Sequence, residues 1–280
     1  MAALHEASIP IYIHFMLPKL RTLGRSCDFA LARRRLIRSG DLAANELSLL
    51  ERVNLDTHLN DTMYVRYAGQ QYLTAGLSAM RCIEAALNGK RPGRILDFPC
   101  GYGRVLRFLK IRFPESKITA CDIDPEAVKF CQTFGVNGVP SNVELTIDLP
   151  NDFDLIWCGS LVTHLNRPRV AALLRFFSEH LSTGATCVFS AHGEQAATWM
   201  QDGTQTCGLS EAARWTALDG YRRTGFGYVD YDGQAYGISL TSKKVIEEMA
   251  AHSGDWHETS FLEHGWDGFH DVYGFTKGHA

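Results

Sequence analysis

A doubly wound α/β fold, a mostly parallel sheet covered on both faces by helices, is predicted by three observations. Between residue 91 and about residue 192, short apolar runs alternate with helical patterns, which is the rhythm of βαβ units. The first of these runs breaks into a Gly- and Pro-rich turn before a helix, in the stretch ILDFPCGYGRVLRF at 95–108, as chains do where a ligand sits against the carboxyl edge of a parallel sheet. The composition, 45% hydrophobic and 21% charged over 280 residues, suits a globular protein with one sizeable core and an elaboration beside it.

The elements follow in order. Residues 1–90 read as a helical extension. SGDLAANELSLLERVN offers Ser39 or Asp41 as a cap, and TAGLSAMRCIEAALNGK lines up Leu77, Met80, Ile83, Ala86 and Leu87 before an Asn88-Gly89 stop. Residues 91–280 form the main domain: RILDF, a helix through VLRFLKIRF, KITACDI, a helix through PEAVKFCQTFG, DLIWCGS, a helix through RVAALLRFFSEHL, and TCVFSA. Residues 193–234 interrupt with Gly, Gln and aromatic side chains and read as an insertion. AYGISL, the helix SKKVIEEMAAH and the run DVYGFTK restore order.

Composition and charge exclude some partners. A net charge of -3 gives no overall attraction to a phosphate backbone, so nucleic acid is not expected. No apolar run is long enough to span a bilayer, and stable membrane insertion is not expected. Lys19, Arg21, Arg25, Arg33, Arg34, Arg35 and Arg38 read as a solvated basic helix face, with a transit peptide or a membrane-surface helix as the alternative. Eight cysteines without a CxxC pair suit a reducing, cytoplasmic setting. His252, His257, His264 and His270 match no metal-ligand spacing, and no metal is expected.

The turn itself has a physical reading. Gly101 and Gly103 permit φ above zero and close approach of a ligand to main chain, and the following helix start offers N–H groups to polar or negative atoms. Dinucleotide enzymes place G-x-G-x-x-G here. In this chain the third glycine of that motif falls at Leu106, and the pattern is instead Asp97-x-Pro99-x-Gly101-x-Gly103, an acid on the strand followed by a turn whose first expected glycine is Pro99, so the turn alone leaves the cofactor open.

LDFPCGYG at 96–103, ACDIDPEAV at 120–128 and FDLIWCGSLVTHL at 153–165 together resemble the class I S-adenosylmethionine-dependent methyltransferases. A bacterial subset with a D-x-P-C-G-x-G-R turn and a Gly-Trp-Asp segment near the end is especially similar. The resemblance implies a Rossmann-like sheet of seven strands with an antiparallel last strand, and S-adenosylmethionine as cofactor. It implies that Asp97 orients the turn near the methionine end, that Cys100, Gly101 and Gly103 present backbone, and that Asp122 holds the ribose hydroxyls with Ile123 on the adenine. Cys158, Gly159 and Ser160 are then delivered under the sulfonium, while Asp124-Pro125 reads as a helix cap with proline at N1.

His164, just beyond the fourth strand, is a candidate base for the acceptor, and His270 is a second candidate on that side. Tyr72, near the segment Asp61-Thr-Met-Tyr-Val-Arg-Tyr, and Tyr228 and Tyr236 in RTGFGYVDYDGQAYG supply rings with polar tips for a small-molecule or sugar acceptor. The expected reaction is methyl transfer to oxygen. Two alternatives stand beside it: a non-catalytic S-adenosylmethionine-binding scaffold with a degenerate fold, and a nicotinamide-dependent oxidoreductase. A homodimer is left open.

Overall fold

A computed structural model describes residues 11–65, 68–231, 233 and 236–278, with residues 11–23 as backbone only. The side chains of Lys19 and Arg21, and Arg66 and Tyr67 altogether, lie outside the described residues. By compactness the chain divides into Met1–Leu73 and Thr74–Ala280.

The first unit holds α1 (Ile11–Ser39), α2 (Ala44–Arg52) and the start of α3 (Gly69–Leu87). Helix α2 starts later than Ser39 or Asp41 suggests, because the Ala43 N–H donates to the Glu46 carboxylate at 3.1 Å and closes the first turn there. Phe29, Tyr64 and Tyr72 form a ring cluster with centroids 5.1–5.8 Å apart. The Tyr64 hydroxyl and the Gly69 N–H both donate to Asp28.

The second unit carries the sheet. Its strands are β1 (Arg94–Asp97), β2 (Lys117–Asp122), β3 (Asn137–Pro140), β4 (Phe153–Cys158), β5 (Leu181–Ala191), β8 (Trp256–Trp266) and β9 (His270–Lys277), in the order β3-β2-β1-β4-β5-β9-β8. The first five run parallel, and β9 is antiparallel to both β5 and β8. This is the seven-stranded, doubly wound sheet that the sequence predicts. Helices α4 (Leu106–Arg112), α5 (Pro125–Gln132), α6 (Arg167–His180) and α9 (Lys243–Ala251) follow from the apolar periodicity. Asn88 and Gly89 end α3 with φ of 45° and 85°, the left-handed stop their types favour.

The edge strands β3 and β8, half-exposed and without an apolar run, were not read from the sequence, and three further features were not legible. The insertion contains α7 (Glu194–Asp202) and α8 (Glu211–Thr224); α8 buries only Ala217 and Leu218, too narrow a stripe to read as periodic. GISLT, the core of AYGISL, pairs outside the main sheet, as β7 (Gly237–Thr241) against β6 (Phe226–Asp230). Between β3 and β4 the chain crosses over residues 141–152 without a helix, although parallel strands are usually joined by one.

One apolar cluster packs α6 and α9 on the sheet through Phe98, Leu173, Phe177, Phe189, Ile246 and Tyr273. A smaller one, around Met200, Leu218 and Leu240, lies under the insertion. On another side, Gly76 of α3 sits where a Cβ would come 2.2 Å from the Phe108 ring and 3.0 Å from the Arg104 carbonyl. Phe108 is fully buried and has no room to turn away. Gly76→Ala is therefore expected to destabilise the protein by about 1–2 kcal/mol, the overpacking penalty exceeding the roughly 1 kcal/mol that alanine gains as a helix former; a urea-denaturation midpoint above wild type would contradict this.

Candidate functional site

The strand order reverses between β1 and β4, and ligands of open α/β sheets bind at the carboxyl edge of such a reversal. The chain leaves β1 through Asp97, Phe98 and a cis-linked Pro99 into the turn 100–103. The Cys100 N–H donates to the Cys121 carbonyl of β2 at 3.0 Å, and the Gly103 N–H to the Cys100 carbonyl at 3.0 Å. Arg107, only 2% exposed, donates to the carbonyls of Gly103 and Tyr102 at 2.9 and 3.2 Å. Its guanidinium also lies 5.2 Å over the Phe134 ring. No sequence signal marks Arg107, which reads as one more basic residue on α4.

The two glycines serve different needs. Both have positive φ, 47° at Gly101 and 75° at Gly103. A Cβ on Gly103 would come within 2.6 Å of the Phe134 ring, whereas one on Gly101 would meet nothing within 4 Å. Packing therefore requires Gly103, while Gly101 exposes bare main chain to open space. The buried Cys100 contributes backbone, its thiol being engaged with Cys131.

Two carboxylates stand at this edge. Asp97 is 1% exposed and its Oδ2 has no hydrogen-bond partner. Burial, and then the neighbouring Asp122, hold its carboxyl well above the ordinary carboxylate range. Asp122 accepts from the N–H groups of Gly101 and Asp124 at 2.8 and 2.9 Å, yet burial still raises it. Beside it Ile123 is 58% exposed. Asp124 accepts from the Glu126 N–H at 2.9 Å and from the Tyr102 hydroxyl at 2.8 Å, capping α5 as its sequence predicts.

At the end of β4, Cys158 is buried inside the apolar cluster, and a Cβ on Gly159 would come within 2.8 Å of Trp266. Ser160 takes the left-handed conformation, φ 64°, with its N–H donating to Ser190 Oγ at 2.8 Å. His164 closes the 3₁₀ turn Val162–His164. Its Nδ1 lies 2.7 Å from the Gly237 carbonyl; a carbonyl only accepts, so Nδ1 carries the proton and the neutral ring keeps its lone pair on Nε2. Burial lowers its pKa, opposed by that hydrogen bond. The ring stacks on Tyr236 with centroids 4.8 Å apart.

His270 opens β9. Burial, then the Arg104 charge, push its pKa down to about 3, and its Nδ1 is buried without a partner. It stacks at 4.9 Å on His192, a residue that sequence reasoning missed. His192 follows β5 directly, is 4% exposed and is likewise held neutral, by burial and then by His270. Its position just past an apolar strand was the available signal. Tyr228 donates to Asp230 at 3.2 Å. Tyr72 lies in the first unit, buried, with its hydroxyl donating to Asp61 at 2.7 Å. Among the described residues, no group of three or more His, Cys, Asp or Glu could hold a metal ion, and no helix is long and apolar enough to cross a membrane.

A cavity of about 570 Å³ opens beside the turn, lined by residues that include Pro99, Ile123, Ser141, Asn142, Leu161 and Tyr236. Its size is that of a site for a small organic ligand.

Residues 96–187 match the family model of a methyltransferase domain. No curated protein matches the sequence. Among solved structures, human N-acetylserotonin methyltransferase, in complex with S-adenosylmethionine, is similar at 15% identity with a TM-score of 0.52, over 75% of this chain and 53% of that one; this chain thus spans about half the human enzyme. An S-adenosylmethionine-dependent methyltransferase from Clostridium acetobutylicum aligns at 15% identity and a TM-score of 0.51, over 74% of this chain and 92% of that one. The 1,6-didemethyltoxoflavin-N1-methyltransferase of Burkholderia thailandensis aligns at 16% and 0.51, over 73% and 79%. Residues 96–187 are thus similar to a methyltransferase domain, and the chain shares the fold of these S-adenosylmethionine-dependent structures.

Proposed function

We propose that this chain transfers a methyl group from S-adenosylmethionine to an oxygen of a small-molecule or glycan acceptor. The observation that carries the reading is the pair Asp97 and Asp122. Two buried carboxylates at the edge, one with an unpartnered oxygen, call for a cationic ligand. A dinucleotide's pyrophosphate would add negative charge to them. A sulfonium with an α-ammonium group complements them, which favours the methyl donor over a nicotinamide cofactor.

Asp97 would hold the ammonium end, and the bare Gly101 main chain leaves room beside it. Asp122 has lone pairs left for ribose hydroxyls, and the exposed Ile123 offers an apolar surface to the base. Cys158, Gly159 and Ser160 would form the floor under the reacting centre, Cys158 and Gly159 through packing and Ser160 through its fixed main chain. When bound, the cofactor supplies an activated methyl whose S–CH3 bond breaks as the acceptor's O–CH3 bond forms, the electron pair returning to sulfur. The chain's own part is to align the acceptor and exclude water. His164 takes the hydroxyl proton on Nε2, and Tyr228 and Tyr236 flank the acceptor. His270, neutral at any pH near 7, would serve as a hydrogen-bonding wall; its pKa of about 3 makes it the weaker base.

Asp97 generates a pH dependence with a defined sign. Its raised carboxyl is protonated in the free chain over a range where a bound cation would ionise it, so binding releases a proton and S-adenosylhomocysteine affinity rises with pH. In the free chain the same group makes folding stability fall as pH rises through that window, because the unfolded chain ionises first. Calorimetric titration in two buffers of different ionisation enthalpy should detect the proton. Asp97→Asn should abolish it and weaken binding about tenfold; an unchanged titration would count against the cationic ligand.

His164→Gln should lower methyl incorporation about a hundredfold or more while leaving S-adenosylhomocysteine affinity intact. The wild-type rate should rise to a plateau whose midpoint lies below the ordinary histidine value near 6.5, and the variant should lose that limb. Incorporation of labelled methyl into extract small molecules measures both.

A further inference from the structure

The cavity reaches past the edge of the sheet. One end is formed by Pro99, Ile123, Ser141 and Asn142, where the nucleoside of the proposed cofactor would lie. The lining continues through Leu165 onto α6, at Arg169, Ala172 and Leu173. Residues 141–152 cross from β3 to β4 without a helix, and this irregular segment lines the cavity from Ser141 to Leu145 while Leu145, Ile147 and Leu149 pack on the core.

The walls are apolar, and three large side chains remain open on them: Ile123 at 58%, Val143 at 46% and Tyr236 at 45% exposure. Apolar groups converging on one hollow mark a surface that something covers. The rim carries one cation, Arg169, and one anion, Glu144, so it favours neither sign of charge. Tyr236, which lines the cavity, stacks on His164, and Leu161 and Leu165, which also line it, flank His164 in the chain. The cavity wall is therefore in contact, through Tyr236, with the ring assigned as base.

We propose that the α6 end of the cavity binds the body of the methyl acceptor and that this acceptor is an uncharged, largely apolar ring compound bearing a hydroxyl group. This rests on the methyltransferase reading above and narrows it: a glycan needs many fixed polar partners, and these walls supply few. Arg169 and Glu144 frame the mouth, and Tyr236 forms the wall shared with His164.

The test uses 2-naphthol as probe on the full chain, by saturation-transfer NMR and calorimetry, with and without saturating S-adenosylhomocysteine. Two variants change the cavity at exposed positions, Ala172→Trp to fill it and Val143→Glu to charge it; circular dichroism confirms their folding. The expected result is saturable naphthol binding that persists with S-adenosylhomocysteine present. Either variant should weaken it about tenfold while S-adenosylhomocysteine affinity stays within about twofold. Naphthol displaced by S-adenosylhomocysteine would assign the whole cavity to the nucleoside and overturn the proposal. So would naphthol binding that neither folded variant alters, or preferential binding of a simple glycoside. Failure of S-adenosylhomocysteine to bind the wild type would instead remove the cofactor reading, which the naphthol titration alone does not address.

Discussion

The second unit is organised around two carboxylates buried without an opposing charge beside them. Asp97 and Asp122 end adjacent parallel strands, and their like charges together with burial leave the edge short of a cation. A protein tolerates such an arrangement only if it keeps a proton or gains a ligand. The surrounding structure holds the turn in place against that electrostatic strain. Cys121 anchors it from β2, Arg107 pins two of its carbonyls, and Phe134 packs where Gly103 has no side chain. The charge deficit and the rigidity belong together, since a loose turn would let water solvate the acids and erase their demand for a cation.

The opposite side of the edge is built on neutral imidazoles. His164 has its tautomer set by the Gly237 carbonyl, and His192 and His270 stack as uncharged rings. Burial lowers all three. Charged histidines would compete with a cationic ligand for the two aspartates, so neutrality here is consistent with a cation there. The edge is thus divided into an acidic half and a neutral, aromatic half.

Five strands of the main sheet were legible because they are short apolar runs punctuated by turn residues, and its central helices carry wide apolar stripes; β3 and β8, at the two edges, bury too little to show such a run. Asp124 and Asn88-Gly89 could be read singly, because caps and stops act through neighbours in the chain. Elsewhere the local signal failed. Helix α8 buries too little to show a period, and AYGISL has a strand's composition whichever sheet it joins. Arg107 and His192 look ordinary in the sequence; what distinguishes them is burial, which depends on residues far along the chain.

By itself the sequence determined the order of the βαβ units, the glycine-bearing turn after β1 and the acids at the ends of β1 and β2. These are properties of neighbouring residues, governed by backbone freedom, capping and hydrophobic period. The tertiary structure alone decided which glycine serves packing and which leaves main chain bare, which nitrogen of His164 keeps its lone pair, and that the crossover without a helix lines a hollow together with α6. Each of those depends on distances between segments that only folding brings together, and no pattern along a single segment encodes them.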